Sequence, residues 1–234
     1  MQKNIREEAV DANAAGARDA RKLAGTAKAA AKPADGPLIS NICVYCGSGS
    51  GSVPIYADAA RTLGRSLAEA GIGLVYGGGS LGLMGEVART TLEHGGHVTG
   101  IIPDFLIARE KMLKDVNELI VTGDMHERKM KMFEKSDAFV ALPGGIGTLE
   151  ELVEQLTWSQ LGQHTKPIIL TNIDGFWQPF ITLLAHMREQ HFIRAGLEVS
   201  FETVNKVEDV IPAALRIARE RGVVEKTETV RENF

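Results

Sequence analysis

Two glycine-rich turns and a pair of adjacent cations hold the residues best suited to chemistry in this 234-residue chain. The first turn reads Gly77-Gly78-Gly79-Ser80-Leu81-Gly82-Leu83-Met84-Gly85. The second reads Pro143-Gly144-Gly145-Ile146-Gly147-Thr148-Leu149-Glu150-Glu151. Between them lies Met125-His126-Glu127-Arg128-Lys129. Each glycine run follows an apolar, strand-like stretch and leads into a helix-like one. Bare backbone N–H groups at a helix start form an anion site. Two such turns plus two cations predict a pocket for a phosphorylated ligand. A carboxylate such as Glu151 has no place in a simple anion hole and points to chemistry beside it.

Each of these features has a second reading. Gly77-x-Gly79-x-x-Gly82 matches a dinucleotide fingerprint, with Asp104 about where a ribose-binding acid would stand. The match falls on the second strand–helix pair, which weakens the NAD reading. The same glycines also permit close helix–strand packing. No G-K-[ST] triplet follows either turn, which argues against a P-loop. Arg128 and Lys129 lie three or four residues from Met125, Met132 and Phe133, so both fall on or beside the inward stripe of a helix. An inward cation needs an anion. The choices are Glu86, Glu150, Glu151, or a ligand phosphate matched to the arginine fork. Snorkelling to water is the remaining option. Thr148-Leu149-Glu150-Glu151 has the form of a capping box, with Thr148 as N-cap. Asp124-Met125-His126-Glu127 has the same form. Glu151 is also expected in the first turn of its helix, where a carboxylate could contact ribose hydroxyls or stabilise a cationic sugar.

These residues require elements to position them. Apolar, strand-like runs cover Ile39 to Cys46, Ile72 to Tyr76, His97 to Ile102, Glu118 to Val121, Ala138 to Leu142, Pro167 to Thr171 and Val199 to Val204. Helical patterns cover Ile55 to Ala70, Leu81 to His94, Asp124 to Lys135, Thr148 to Leu161, Trp177 to Gln190 and Val207 to Arg219. Such alternation predicts an α/β protein with a doubly wound parallel sheet and helices on both faces. Ligands of such sheets sit at the carboxyl ends of the strands, where both glycine turns and a Gly47–Gly51 turn fall. Residues 1–36 are rich in Ala, Lys, Arg and Asp, and are expected to be a disordered or loosely helical tail. Glu7, Glu8, Asp11 and Asp19 argue against a transit peptide. Residues 37–234 are expected to be one domain.

Composition narrows the classes. Net charge is -4, so no global basic field draws nucleic acid. No apolar run is long enough to cross a bilayer, and the start lacks the apolar core of a secretion signal. Cys43 and Cys46 are the only cysteines. Three apart on a strand, they point to opposite faces and are expected to be buried thiols rather than a redox or metal pair. Without a disulfide framework, a cytoplasmic location is expected. The histidines show no zinc spacing, and no G-x-S-x-G elbow is present. No cofactor and no metal are expected.

Taken together, GGGS-x-GLMG, MH-x-RK and PGG-x-GT-x-x-E resemble the LOG (Lonely Guy) family of cytokinin riboside 5′-monophosphate phosphoribohydrolases, over about residues 38 to 220. That family has also carried a lysine decarboxylase label, for which no sequence support is evident here. The resemblance implies a Rossmann-like homodimer acting on a nucleoside 5′-monophosphate, with no nucleic-acid or membrane partner. It implies Arg128 and Glu151 as catalytic residues with Lys129 nearby in the substrate site. Gly144, Gly145, Gly147 and Thr148 would hold the 5′-phosphate, and Ser48 and Gly79 would line the nucleotide pocket. Ile146 stands where many relatives carry Tyr. In the implied reaction Arg128 holds Glu151 ionised beside the ribose, and candidate base-pocket walls are Met84, Met125, Ile146 and Trp158. The alternative from another class is a non-catalytic nucleotide or molybdenum-cofactor carrier.

Overall fold

The structure, a computed structural model, describes residues 38–194 and 196–232, with side chains as far as Gly222. The tail expected over residues 1–36 lies outside the described residues.

Strands and helices alternate as the sequence pattern requires. They run β1 (Asn41–Tyr45), α1 (Pro54–Glu69), β2 (Gly73–Tyr76), α2 (Gly82–Glu93), β3 (Val98–Pro103) and β4 (Glu118–Thr122). There follow α3 (Met125–Glu134), β5 (Ala138–Ala141), α4 (Ile146–Gln160), β6 (Ile168–Thr171), α5 (Gln178–Glu189), β7 (Glu202–Val204) and α6 (Val210–Glu232). Two short helical turns, Asp104–Leu106 and Ile107–Glu110, join β3 to β4. Among the described residues seven strands form one sheet, in the order β4-β3-β2-β1-β5-β6-β7. Every pairing is parallel. This is a Rossmann-like doubly wound fold.

The five inner strands are almost wholly buried because helices cover both faces, while β4 and β7 at the edges are partly open. Ile42, Val44 and Cys46 face one core with Leu63 and Leu67 of α1, Val87 of α2 and Val210 of α6. Cys43 and Tyr45 face the other, with Met132 of α3, and Leu152 and Leu156 of α4. The two cysteines are free, buried and on opposite faces, as the strand period requires. Burial pushes both thiols up, with the Glu151 charge adding to it, so neither is poised as a thiolate.

Strand order reverses between β1 and β5, and ligands of open α/β sheets bind at such a switch. The loops leaving these strands are tied together there. Leu142 N–H bonds the Tyr45 carbonyl and Gly47 N–H bonds the Pro143 carbonyl, both at 3.0 Å. The Ala141 carbonyl, at the end of β5, accepts from Thr171 Oγ1 at 2.6 Å and Trp177 Nε1 at 3.2 Å. The second glycine turn therefore leaves from a fixed strand end.

Two boundaries differ from the pattern. The last helix continues to Glu232 after a 3₁₀ turn, Val207–Asp209, rather than stopping near Arg219. More important for the site, α4 begins at Ile146, two residues before Thr148.

Candidate active site

The second glycine turn presents open donors. Leu149 N–H bonds back to the Gly145 carbonyl at 3.0 Å, closing the first turn of α4. The amides of Gly144, Gly145, Ile146, Gly147 and Thr148 find no partner among the described residues. Such donors at the positive end of a helix form an anion site. Gly145 is the N-cap and makes no side-chain cap bond. The expected capping box of Thr148 and Glu151 is therefore absent, because both lie inside the helix. Thr148 is buried. It crowds Gly144 so closely that a Cβ there would lie 2.1 Å from its Oγ1. Glu151 belongs to the second helical turn, not the first. The capping form at Asp124 is real: its Oδ1 accepts from Glu127 N–H at 2.8 Å, and Glu127 Oε2 accepts from Gly123 N–H at 2.9 Å.

The first long turn does something else. The start of α2 is already occupied, since Leu83 and Met84 N–H both bond the Gly47 carbonyl, at 3.0 and 3.3 Å. Ser80 N–H bonds the Glu110 and Lys111 carbonyls, at 3.2 and 3.1 Å. The expectation of two anion turns is corrected to one. Gly82 has φ 54° and packs against the Ser48 backbone, where a Cβ would sit 2.4 Å from the Ser48 carbonyl carbon. The glycines serve close packing. The NAD reading loses its phosphate site here, and Asp104 is exposed, its Oδ1 accepting from Phe105 N–H at 2.6 Å.

Arg128 is held by the strand ends. Its Nε donates to the Ile101 carbonyl at 3.2 Å and its Nη2 to the Gly77 carbonyl at 3.3 Å. A Cβ at Gly77 would lie 2.2 Å from Nη2, so the guanidinium lies across a residue that must lack a side chain. Nη1 faces Met125 Sδ at 3.8 Å and Glu151 Oε1 at 3.6 Å. The Arg128 side chain is only 6% exposed and that of Glu151 only 11%. The inward cation on α3 thus meets an inward carboxylate on α4.

Glu151 has its pKa raised to about 7. Burial is the main cause. Arg128 opposes it, while the charges of Glu150 and Glu110 add to it. The expectation that Arg128 holds this carboxylate ionised is corrected: at 3.6 Å its attraction is weaker than the desolvation. The group titrates near neutrality, where an acid–base residue is most effective.

The other expected residues divide between the neighbourhood of this pair and a cavity that neither Arg128 nor Glu151 lines. Lys129 is partly buried and its Nζ bonds Glu150 Oε1 at 2.6 Å and Glu154 Oε1 at 2.9 Å. Its charge is therefore met by the α4 carboxylates flanking Glu151. Ser48 is exposed and, with Gly47, Pro143, Gly144, Tyr56 and Phe176, lines a cavity of about 290 Å³ at the switch point. Tyr56 and Phe176 meet edge to face there, with centroids 5.7 Å apart. Gly79 faces Met84 and Glu110: a Cβ on it would lie 2.8 Å from Met84 Cε and 3.2 Å from Glu110 Oε2. Of the candidate base-pocket walls, Met84 and Met125 touch residues of this cluster. Ile146 is 83% exposed at the start of α4. Trp158 stacks edge-on against Phe133 at 5.2 Å, beside His164, and so belongs to the packing beneath α4 rather than to the site.

Two residues went unread in the sequence. Glu110 reaches the site from the β3–β4 connection, which carried no motif. His164 is buried, its Nε2 is 3.2 Å from the Gln155 carbonyl, and burial lowers its pKa to about 4, so it is a neutral packing residue.

A doubly wound parallel sheet with one amide-lined turn, a pinned arginine and a buried carboxylate at its switch point defines a nucleotide-binding protein of the Rossmann class. Comparison with known proteins makes this specific. A family profile described as "Possible lysine decarboxylase" matches residues 84–214. The chain is 49% identical over 170 residues to the "Probable cytokinin riboside 5′-monophosphate phosphoribohydrolase LOGL1" of Oryza sativa subsp. japonica, covering 73% of this chain and 76% of that one. It is 45% identical over 184 residues to LOG3 of Arabidopsis thaliana, a cytokinin riboside 5′-monophosphate phosphoribohydrolase, covering 76% and 86%. The chain belongs to the LOG family. Among solved structures, the Moco carrier protein of Chlamydomonas reinhardtii aligns with a TM-score of 0.57 at 26% identity, covering 77% of this chain and 98% of that one. A molybdenum cofactor binding protein from Rippkaea orientalis aligns with a TM-score of 0.55 at 26% identity, covering 74% and 93%.

Proposed function

We propose that this protein hydrolyses the N-glycosidic bond of adenosine 5′-monophosphate or its N6-modified forms, releasing free base and ribose 5-phosphate, and so activates cytokinins. The observation that carries the reading is the juxtaposition of Glu151, 3.6 Å from Arg128, with the unpartnered amides that open its own helix. The amides of Gly144, Gly145, Gly147 and Thr148 take the phosphate, and Ser48 and Gly79 line the nucleotide pocket. Binding at the phosphate positions the sugar without touching the reacting bond. As the C1′–N bond breaks, its electron pair leaves with the base and positive charge spreads over C1′ and the ring oxygen, as in glycoside hydrolysis. Ionised Glu151 stabilises that charge more than the ground state. Water then bonds to C1′, and Glu151, with a pKa near the working pH, accepts the proton it sheds. The departing base takes up one proton from solvent and Glu151 returns one to solvent, so the water's hydrogen ends on the free base. Arg128 opposes the burial of Glu151 in part and so keeps its titration from rising beyond neutrality. Lys129 bridges Glu150 and Glu154 on α4 and contributes positive charge to the substrate site.

We extend the reading to a homodimer in the cytoplasm. Ile146 and Val153 on α4 and Leu161, its C-cap, are exposed apolar side chains spaced seven and eight residues apart, along one side of the helix. A stripe of this kind beside a site marks a contact surface. The two unpaired thiols suit a reducing compartment.

The experiment is incubation with AMP and isopentenyl-AMP followed by chromatography. The enzyme reading predicts stoichiometric base and ribose 5-phosphate. The carrier reading, which the likeness to the molybdenum-cofactor proteins supports, predicts bound nucleotide and no released base.

A further inference from the structure

We propose that Glu110 binds the ribose of the substrate, accepting hydrogen bonds from its 2′- and 3′-hydroxyls. The inference rests on the nucleotide-hydrolase reading above and deepens it. The carboxylate enters the site from the β3–β4 connection. Its Oε2 is buried and has no hydrogen-bond partner, and the residue makes no ion pair among the described residues. An orphaned buried acceptor is costly, and in a binding cleft its natural complement is a donor on the ligand. The backbone that carries it is held in place. Ser80 N–H bonds the carbonyls of Glu110 and Lys111, and Leu113 N–H bonds the Gly78 carbonyl at 3.0 Å. Lys111 turns the chain sharply with φ 49° and ψ 72°. The first glycine turn supplies the room, because Gly79 puts no side chain where Glu110 Oε2 lies. The Glu110 charge is felt by Glu151 and by Cys46, so it lies within electrostatic reach of the candidate acid.

The substrate explains the pairing. Its phosphate is an acceptor and goes to the amides of the second turn. Its C1′ must come to Glu151. What remains on the sugar is a pair of neutral hydroxyl donors. A carboxylate that accepts and does not donate fits them, and O–H to carboxylate bonds are among the stronger neutral–charged pairs.

The test compares AMP with 2′,3′-dideoxy-AMP in wild type, Glu110→Ala and the isosteric Glu110→Gln. The ratio of kcat/KM values for the two substrates is read, so that the different intrinsic lability of the analogue cancels between variants. Glu110→Ala is expected to lower kcat/KM for AMP by roughly ten- to a hundredfold and to change that for dideoxy-AMP by less than about threefold. Glu110→Gln should fall between them. Equal loss on both substrates, or an unchanged ratio, overturns the assignment. Thermal melts within a few degrees of wild type confirm that the variants fold. Calorimetric affinities for the same two nucleotides separate this inference from the parent reading. If wild type binds AMP but releases no base, the hydrolase reading fails. The role of Glu110 then stands or falls on whether its removal erases the preference for AMP in binding.

Discussion

Burial of Glu151 should make the protein less stable as pH rises, and Glu151→Gln should remove that dependence. The carboxyl titrates at about 7 in the fold against an ordinary 4.5. Between these values the folded protein keeps a proton that the unfolded chain has lost. Ionising the group in place works against its burial, so folding stability is full below the ordinary value and falls as pH rises through 7. The integrated effect is about 3 kcal/mol by pH 8, and about 2–3 kcal/mol of it develops between pH 5 and pH 8. Glutamine has the shape of the protonated acid and does not titrate. Urea unfolding of both proteins, at one protein concentration and several pH values, isolates the term, since all other titrations cancel in the difference. Glu151→Gln should gain about 2–3 kcal/mol on wild type from pH 5 to pH 8 and be the more stable protein at pH 8. A gap that stays constant with pH, or that moves in favour of wild type as pH rises, would show that the carboxylate is solvated or fully compensated by Arg128.

Further outcomes follow from the same geometry. The kcat/KM profile should have an acid limb near pH 7, rising with pH as free Glu151 ionises; a limb near pH 4.5 would show an unburied carboxylate. Arg128→Lys should lower kcat by roughly 10²–10³, because an ammonium cannot span the Ile101 and Gly77 carbonyls and still face Glu151. Retained turnover would remove Arg128 from the chemistry. Gly144→Ala meets Thr148 at 2.1 Å, so it should destabilise the fold by about 1–3 kcal/mol and weaken AMP binding at least tenfold, read by melting and calorimetry. Leu161→Glu should convert a dimer to a monomer in analytical ultracentrifugation, because the change places a charge at the C-cap end of the exposed apolar stripe of α4.

The sheet was legible because its strands read as continuous apolar runs and its helices as periodic ones. Asn41 to Cys43 pairs with Gly73 to Val75 on one side and Ile42 to Tyr45 with Ala138 to Ala141 on the other, and each of those segments was visible as a strand. The inward course of Arg128 was legible from the spacing of Met125 and Met132. The start of α4 was not, since T-x-x-E scores as a cap by local chemistry. The glycine turn tightens the chain earlier, and Thr148 packs inward onto Gly144 instead. The two glycine turns look alike in sequence yet differ in use, because the carbonyl that occupies the start of α2 belongs to Gly47, a residue distant in the chain. Glu110 was invisible for the same reason: its place follows from how the β3–β4 connection folds back over Gly78 and Gly79. Long-range approach, rather than local propensity, decided the last two cases.

Turnover by Glu151→Gln with isopentenyl-AMP reaches the centre of the account. The variant should bind the nucleotide within a few-fold of wild type, through the same amides, while release of base falls by roughly 10²–10³. Release at close to the wild-type rate with the nucleotide still bound would contradict it.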